Sequence, residues 1–430
     1  MANSNLNWSS VCGGLYSGEE IGAFVFDIGS YSTRLGVAGE DLPKYDIPSA
    51  VAYDENYEEK KDTQKSKYSF GDVEIRVPRE GVQIQTFLED GMISNWDLFE
   101  ALVDHVYAKK FCAASNEYPV LMSEPSWNLR AKREKVTEIM FEKYEIPGFY
   151  LAKSALLTAF ASGRPTALVV DVGSKQTSVV PVYEGYVLCQ GIVRSTLAGD
   201  TLIAESQKLL ETMNIDLAPI YTVKSKDPVG INEQPKWTKK TNLPNVTPSY
   251  HNKMLYDLLC DFNSQVVQIP ETSYDDSLHD NAPAVSYEFP TGFNSEFGNE
   301  RFRIGECLFD PRQLQVMRNA QGMLSVSLAV TTCVGMCDVD IRSNLYSSVI
   351  VTGGTTMLNG FTDRLQYELQ RKIPPTLKLK MHNSQPNIQR RFSAWLGGSI
   401  LGSLGCFHQL WISKQEYEEG GKNCVERKCP

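Results

Sequence analysis

The sequence predicts an α/β protein made of two halves of like design. Three observations predict it. A β-type run closed by Asp-x-Gly-Ser occurs twice, as Ala23-Phe24-Val25-Phe26 before Asp27-Ile28-Gly29-Ser30 and as Leu168-Val169-Val170 before Asp171-Val172-Gly173-Ser174. Each run is followed by a second strand-like segment ending in Gly, Arg34 to Gly39 in one and Ser178 to Gly185 in the other. Segments of helical periodicity alternate with these strands. The two strand–turn–strand hairpins open two halves, and an internal duplication is the simplest account.

The elements follow in order. Residues 1–20 are polar and Gly/Ser-rich and read as a flexible tail. Tyr53 to Lys67 is a dense run of mixed charge with little to bury, so it reads as an exposed loop. Asn95 caps a predicted helix from Trp96 to Lys110, with Leu98, Phe99, Leu102, Val103, Val106 and Tyr107 at helical spacing. Ser126 precedes a second helical segment running through Tyr144, whose basic run Arg130, Lys132, Arg133 and Lys135 reads as a solvated face. Lys153 to Ser162 is small and apolar and ends at Gly163, a good C-cap. Lys224 to His251, rich in Lys, Pro and Asn, reads as a surface excursion, and Asp275 to Asn299 shows no clear periodicity. Ser348 to Val351 is a strand leading into Gly353-Gly354-Thr355-Thr356-Met357 and a helix from Asn359 to Arg371. Trp395 to Leu404 is a small-residue helix suited to close packing on another helix.

Composition narrows the function classes. Of 430 residues, 42% are hydrophobic and 22% charged, enough for full cores and against wholesale disorder. Lys+Arg is 42 against 52 Asp+Glu, a net charge of −10, which argues against binding nucleic acid through a broad basic surface. An acidic subunit of a DNA-handling assembly stays possible. No apolar run reaches the roughly 18 residues of a membrane span, and the start MANSNLNWSS lacks the features of a secretory signal. Ten dilute cysteines point to a reducing compartment. The close pairs Cys333/Cys337 and Cys424/Cys429 have no second Cys/His pair beside them, which argues against zinc.

A strand ending in Asp-x-Gly-Ser presents turn N–H groups and a hydroxyl to phosphate oxygens, and its carboxylate is placed for a hydrated Mg²⁺. One copy is a common structural turn, whereas two with matching flanks point to a nucleotide tail clamped from both sides. Gly353-Gly354 between strand and helix either allows close backbone approach to a ring or ribose or is simply a tight turn. No Ser/His/Asp or Cys/His nucleophile arrangement stands out, and the P-loop pattern is absent.

Taken as a set, these motifs resemble the actin family over nearly the whole chain. Arg391-Phe392-Ser393-Ala394-Trp395, Ser413-Lys414-Gln415-Glu416-Tyr417, Arg427-Lys428-Cys429, Tyr183-Glu184-Gly185-Tyr186 and Gly353 to Met357 carry the resemblance most closely. It implies the two-lobed actin/Hsp70/sugar-kinase fold with four subdomains. Residues 21–160 plus 385–430 would form the first lobe, with subdomain 2 near 47–86. Residues 161–384 would form the second, with subdomain 4 near 203–310. It further implies ATP with Mg²⁺ or Ca²⁺ between the lobes, held by Asp27, Gly29, Ser30, Arg34, Asp171, Gly173, Ser174, Lys175, Gly353, Gly354, Thr355, Met357 and Arg391. Asp27 and Asp171 would meet the metal through water.

The departures are specific. Ser154 stands at the family's catalytic, water-orienting glutamine and Ser178 at its water-coordinating histidine, so the resemblance implies binding without appreciable hydrolysis. Tyr31 and Lys175 replace turn glycines, and Arg34 replaces the phosphate-contacting lysine. The charged Tyr53–Lys67 run and the Lys224–His251 insertion argue against self-polymerisation. Wording such as Leu121-Met122-Ser123-Glu124, Tyr287-Glu288-Phe289-Pro290 and Val334-Gly335-Met336-Cys337-Asp338 is similar to the nuclear actin-related proteins of SWI/SNF (BAF) remodellers and histone-acetyltransferase complexes. That class implies a structural subunit in the nucleus, paired with actin on a helix of the remodeller ATPase among other chromatin-complex subunits. It implies no membrane and no sequence-specific nucleic-acid contact. The matching partner cleft falls on Phe160, Gly163, Tyr186, Leu401 and Leu404, which otherwise read as core. A polymerising cytoskeletal ATPase and a sugar-kinase relative are the competing readings.

Overall fold

Apolar runs that are buried on both faces become the central strands of two sheets with one strand order between them. In the computed structural model, residues 22–55, 67–275, 282–316, 323–382 and 387–430 are described. The predicted 1–20 tail, most of the charged loop (56–66) and part of the 275–299 segment (276–281) lie outside the described residues.

The first sheet contains β1 (Phe24–Ile28), β2 (Ser32–Val37), β3 (Tyr45–Pro48), β4 (Val120–Glu124) and β5 (Gly148–Lys153), ordered β3-β2-β1-β4-β5, with Ile412–Ser413 on the far edge. The second contains β6 (Ala167–Val172), β7 (Thr177–Tyr183), β8 (Tyr186–Val187), β9 (Val349–Thr352) and β10 (Met381–His382), ordered β8-β7-β6-β9-β10. In both, the hairpin pairs are antiparallel and the two later strands are parallel. Parallel neighbours need crossover connections, which the intervening helices supply. The internal duplication expected from two short motifs therefore extends to two whole sheets.

The helices that position the site are α1 (Trp96–His105), α2 (Arg130–Glu142), α3 (Ser154–Ala161), α4 (Gly199–Thr212), α5 (Pro248–Val266), α6 (Phe361–Lys372) and α7 (Ser393–Ser403). Asn95 caps α1 as predicted, its side chain accepting from Leu98 N, and the helix runs on into a π turn over Val106–Phe111. The first core gathers Phe26, Phe99, Phe149 and Trp395. The second gathers Leu168, Val170, Phe361 and Leu365. The small-residue helix α7 packs closely on α3 as expected. A Cβ on Gly397 would overlap the Leu157 carbonyl oxygen, and one on Gly398 would lie 2.9 Å from Val25. Trp395 is fully buried and donates from Nε1 to Val25 O at 3.3 Å.

Four expectations are corrected. The helical segment does not follow directly on Ser126: Pro125–Asn128 closes a turn, and α2 starts only at Arg130, with Leu129 at the cap position. Arg133 is not solvated. It is 7% exposed, and its guanidinium reaches Glu124 at 3.0 Å, Glu426 at 2.5 Å and the Cys429 carbonyl. Its neighbours on the helix do face water, so one buried cation was hidden within a run of exposed ones. The Lys224–His251 excursion is mostly exposed but ordered. It forms a hairpin of Val223–Asp227 with Lys236–Lys239, and its last residues open α5, where Tyr250 is fully buried. The Asp275–Asn299 segment contains a hairpin of Val285–Glu288 with Asn294–Phe297, and Tyr287, Phe289 and Phe297 pack on Phe262. Aromatic stacking across two short strands leaves no run long enough to show periodicity. No helix among the described residues is long and apolar enough to cross a membrane.

Candidate functional site

The duplicated hairpins turn towards each other. Each turn is closed by the same bond, Gly29 N donating to Ser32 O at 3.1 Å and Gly173 N to Gln176 O at 3.0 Å. Strand register sets Arg34 across from Asp27 and Ser178 across from Asp171, so the two sites are equivalent by position and differ in chemistry. Between them lies a cleft of about 460 Å³.

Every residue predicted for the cofactor lines that cleft, as do Ser154 and Ser178. The Gly-Gly turn after β9 packs tightly on the second hairpin. Gly353 has φ +96°, and a Cβ there would overlap Val172 O and an Asp171 carboxylate oxygen, so only glycine fits. Thr355 Oγ1 donates to Gly173 O at 2.8 Å and ties this turn to the second hairpin. Arg391 reaches Asp46 at 2.6 Å.

Sequence reasoning missed the wall that α5 contributes. Tyr256, Cys260, Asn263 and Ser264 line the cleft. Their spacing follows one helix face, a signal present in the sequence but obscured where the preceding surface excursion was read too far. Tyr256 donates to Asp200 Oδ1 at 2.8 Å, and its ring lies 6.4 Å from that of Tyr31 on the opposite turn. Glu124 also lines the cleft; it is buried, which pushes its carboxyl pKa up, while Arg133 opposes that shift.

The two aspartates sit in unlike environments. Asp27 is 4% exposed with both oxygens engaged: Oδ2 pairs with Arg34 Nη1 at 3.0 Å, and Oδ1 accepts from Ser123 Oγ at 2.7 Å. Asp171 is pushed up to about 6, chiefly by burial, with the Asp27 charge adding and the Arg34 charge opposing. The turn backbones and hydroxyls fit a phosphate chain. The acidic groups do not fit a cation gripped by both aspartates, because Asp27 is already neutralised. Among the described residues no group of three or more His, Cys, Asp or Glu side chains is placed to hold a metal.

The five partner-cleft residues are not alike. Leu401 is 4% exposed and belongs to the first core, because its face of α7 turns inward. Phe160 and Leu404 are half-buried against that core, Gly163 follows α3 in the left-handed region, and Tyr186 is exposed on edge strand β8.

Two sheets of repeated order, with Asp-bearing turns converging on a cleft between them, define the two-lobed α/β nucleotide-cleft class of which actin is a member. Residues 18–430 match the family described as Actin, and the chain belongs to the actin family. Its relatives include actin-related protein 4 of Oryza sativa subsp. indica, 36% identical over 448 residues that cover 97% of this chain and all of the relative. Actin-related protein 4 of Arabidopsis thaliana is 34% identical over 444 residues, with the same coverage. That of Schizosaccharomyces pombe is 34% identical over 441 residues, covering 96% of this chain and 99% of the relative.

Proposed function

We propose that this actin-related protein is a nucleotide-binding structural subunit of nuclear chromatin-remodelling and histone-acetyltransferase complexes, pairing there with actin on a helix of the remodeller ATPase. The observation that supports it is the conjunction of two opposed Asp-x-Gly-Ser turns with serines where hydrolysis needs long polar side chains. Gly29, Ser30, Gly173 and Ser174 present the turns, and Gly353 and Gly354 line the same cleft. Ser154 opens α3 at the cleft wall, and Ser178 faces the cleft beside Asp171. A short hydroxyl cannot hold an attacking water in line as an amide does, and with no imidazole at Ser178 nothing there relays its proton. ATP thus acts as a wedge that holds the lobes together: a ligand that binds only the folded state stabilises it by mass action.

The docking partner is a helix with apolar anchors at helical spacing, received near Phe160, Gly163, Tyr186 and Leu404. The chain acts without contacting a specific DNA sequence, as its net charge of −10 favours. Two measurements test this reading. Purified protein should retain or bind ATP and release no phosphate above background, and a helical segment of a remodeller ATPase should capture the chain together with actin. Phosphate release at the rate of actin filaments, or no capture with or without actin, sinks it.

A further inference from the structure

The first phosphate turn carries its own cation. Arg34 stands across the hairpin from Asp27, and its Nη1 pairs with Asp27 Oδ2 at 3.0 Å. The guanidinium lies against the turn itself: a Cβ on Gly29 would come within 3.1 Å of Nη1. Its Nε is buried with no hydrogen-bond partner, 3.8 Å from Asp46 Oδ1, too far for a bond. The other oxygen of Asp27 is held by Ser123. In the opposed turn, Lys175 is exposed to the cleft at the position equivalent to Tyr31. Arg34, which already compensates Asp27, and the exposed Lys175 therefore bring positive groups to the mouths of both turns.

We propose that Arg34, seconded by Lys175, takes the place of the divalent cation, so that this cleft holds a nucleoside triphosphate without requiring Mg²⁺ or Ca²⁺. The inference rests on the nucleotide reading above. A guanidinium presents a planar fork of donors and can keep Asp27 on one edge while meeting a phosphate oxygen with another. A lysine in the same place is a single point charge. Its three donors radiate from one nitrogen on a flexible stem, so it holds the carboxylate and the phosphate less rigidly than the fork does and leaves more of their charge for a metal to neutralise.

The test uses the full chain, stripped of nucleotide, titrated calorimetrically with ATP in magnesium and in EDTA. Wild-type affinity should differ less than about fivefold between the two buffers, and Arg34→Lys should open that gap to about tenfold or more. Metal analysis of ATP-loaded wild type after gel filtration in magnesium should find well under one Mg²⁺ per nucleotide. A wild-type loss of about fivefold or more in EDTA, or one Mg²⁺ carried per ATP, overturns the proposal. Absence of binding in both buffers defeats the nucleotide reading itself and the inference with it. Should Arg34→Lys fail to fold, as its unfolding midpoint would reveal, the wild-type comparison and the metal count still decide.

Discussion

Replacing Arg133 with Met breaks the ion network that joins the cleft wall to the C-terminal helix. Arg133 Nε donates to both oxygens of Glu124 at 3.0 and 3.1 Å, Nη1 to Glu426 at 2.5 Å, and Nη2 to the Cys429 carbonyl. Without it, Glu124 keeps one bond, from Asn128 at 2.9 Å, in a site where it is 3% exposed. A buried carboxylate stripped of its cation costs about 3–5 kcal/mol. Part of that is relieved by protonation. Burial already pushes the Glu124 pKa up, and losing Arg133 pushes it further. The folded variant then holds a proton that the unfolded chain releases, so its deficit should grow as pH rises above the ordinary carboxylate range. Urea unfolding followed by tryptophan fluorescence at pH 5 and pH 8 measures both effects. Glu124→Gln combined with Arg133→Met should recover most of the loss, since no charge is then stranded. A single-variant loss under about 1 kcal/mol, or a double variant no better than the single, refutes the argument.

Three further outcomes are expected. Gly397→Ala should destabilise by about 1–3 kcal/mol or more, because its Cβ meets backbone at the α3–α7 crossing, and a thermal melt unchanged from wild type would contradict this. Asp171→Asn isolates the half-buried carboxyl at the second turn. With its pKa raised from 3.8 to about 6, Asp171 contributes stability below about pH 4 that is lost as pH rises through 6. The Asn variant, stripped of ATP, should thus match wild type near pH 4 and exceed it by up to about 3 kcal/mol above pH 7. Equal stability at both pH values would count against the burial argument. Ser154→Gln with Ser178→His should raise single-turnover ATP cleavage by about tenfold or more if only the water-orienting groups are missing, and an unchanged rate would place the defect elsewhere in the cleft.

Much of the site was legible because it is local. Asp27 to Ser30 and Asp171 to Ser174 are turns whose chemistry is written within four residues, and their apolar strands announce themselves as continuous runs. The glycines of Gly353-Gly354 and of α7 were likewise visible, although the reason for each is a neighbour distant in the chain: Val172 for Gly353 and Leu157 for Gly397. Arg133 could not be told from Arg130 or Lys132 by residue type, since its partners Glu426 and Cys429 lie almost 300 positions away. The α5 wall of the cleft was hidden for a different reason: the helical spacing of Tyr256, Cys260, Asn263 and Ser264 is present in the sequence, but the surface excursion before it was read too far.

Residue order alone established the paired hairpins and the acidic total that disfavours a nucleic-acid surface, while the reading of Ser154 and Ser178 came from the resemblance to the actin family. Folding decided which charges neutralise each other. Asp27 and Asp171 occupy equivalent turns, yet one is held by an arginine and a serine hydroxyl and the other is half-buried without such an ion pair at hydrogen-bond range among the described residues, so desolvation raises its pKa. A local motif fixes the position of a carboxylate, but its ionisation depends on solvent exclusion and on charges that only tertiary packing brings within a few ångströms.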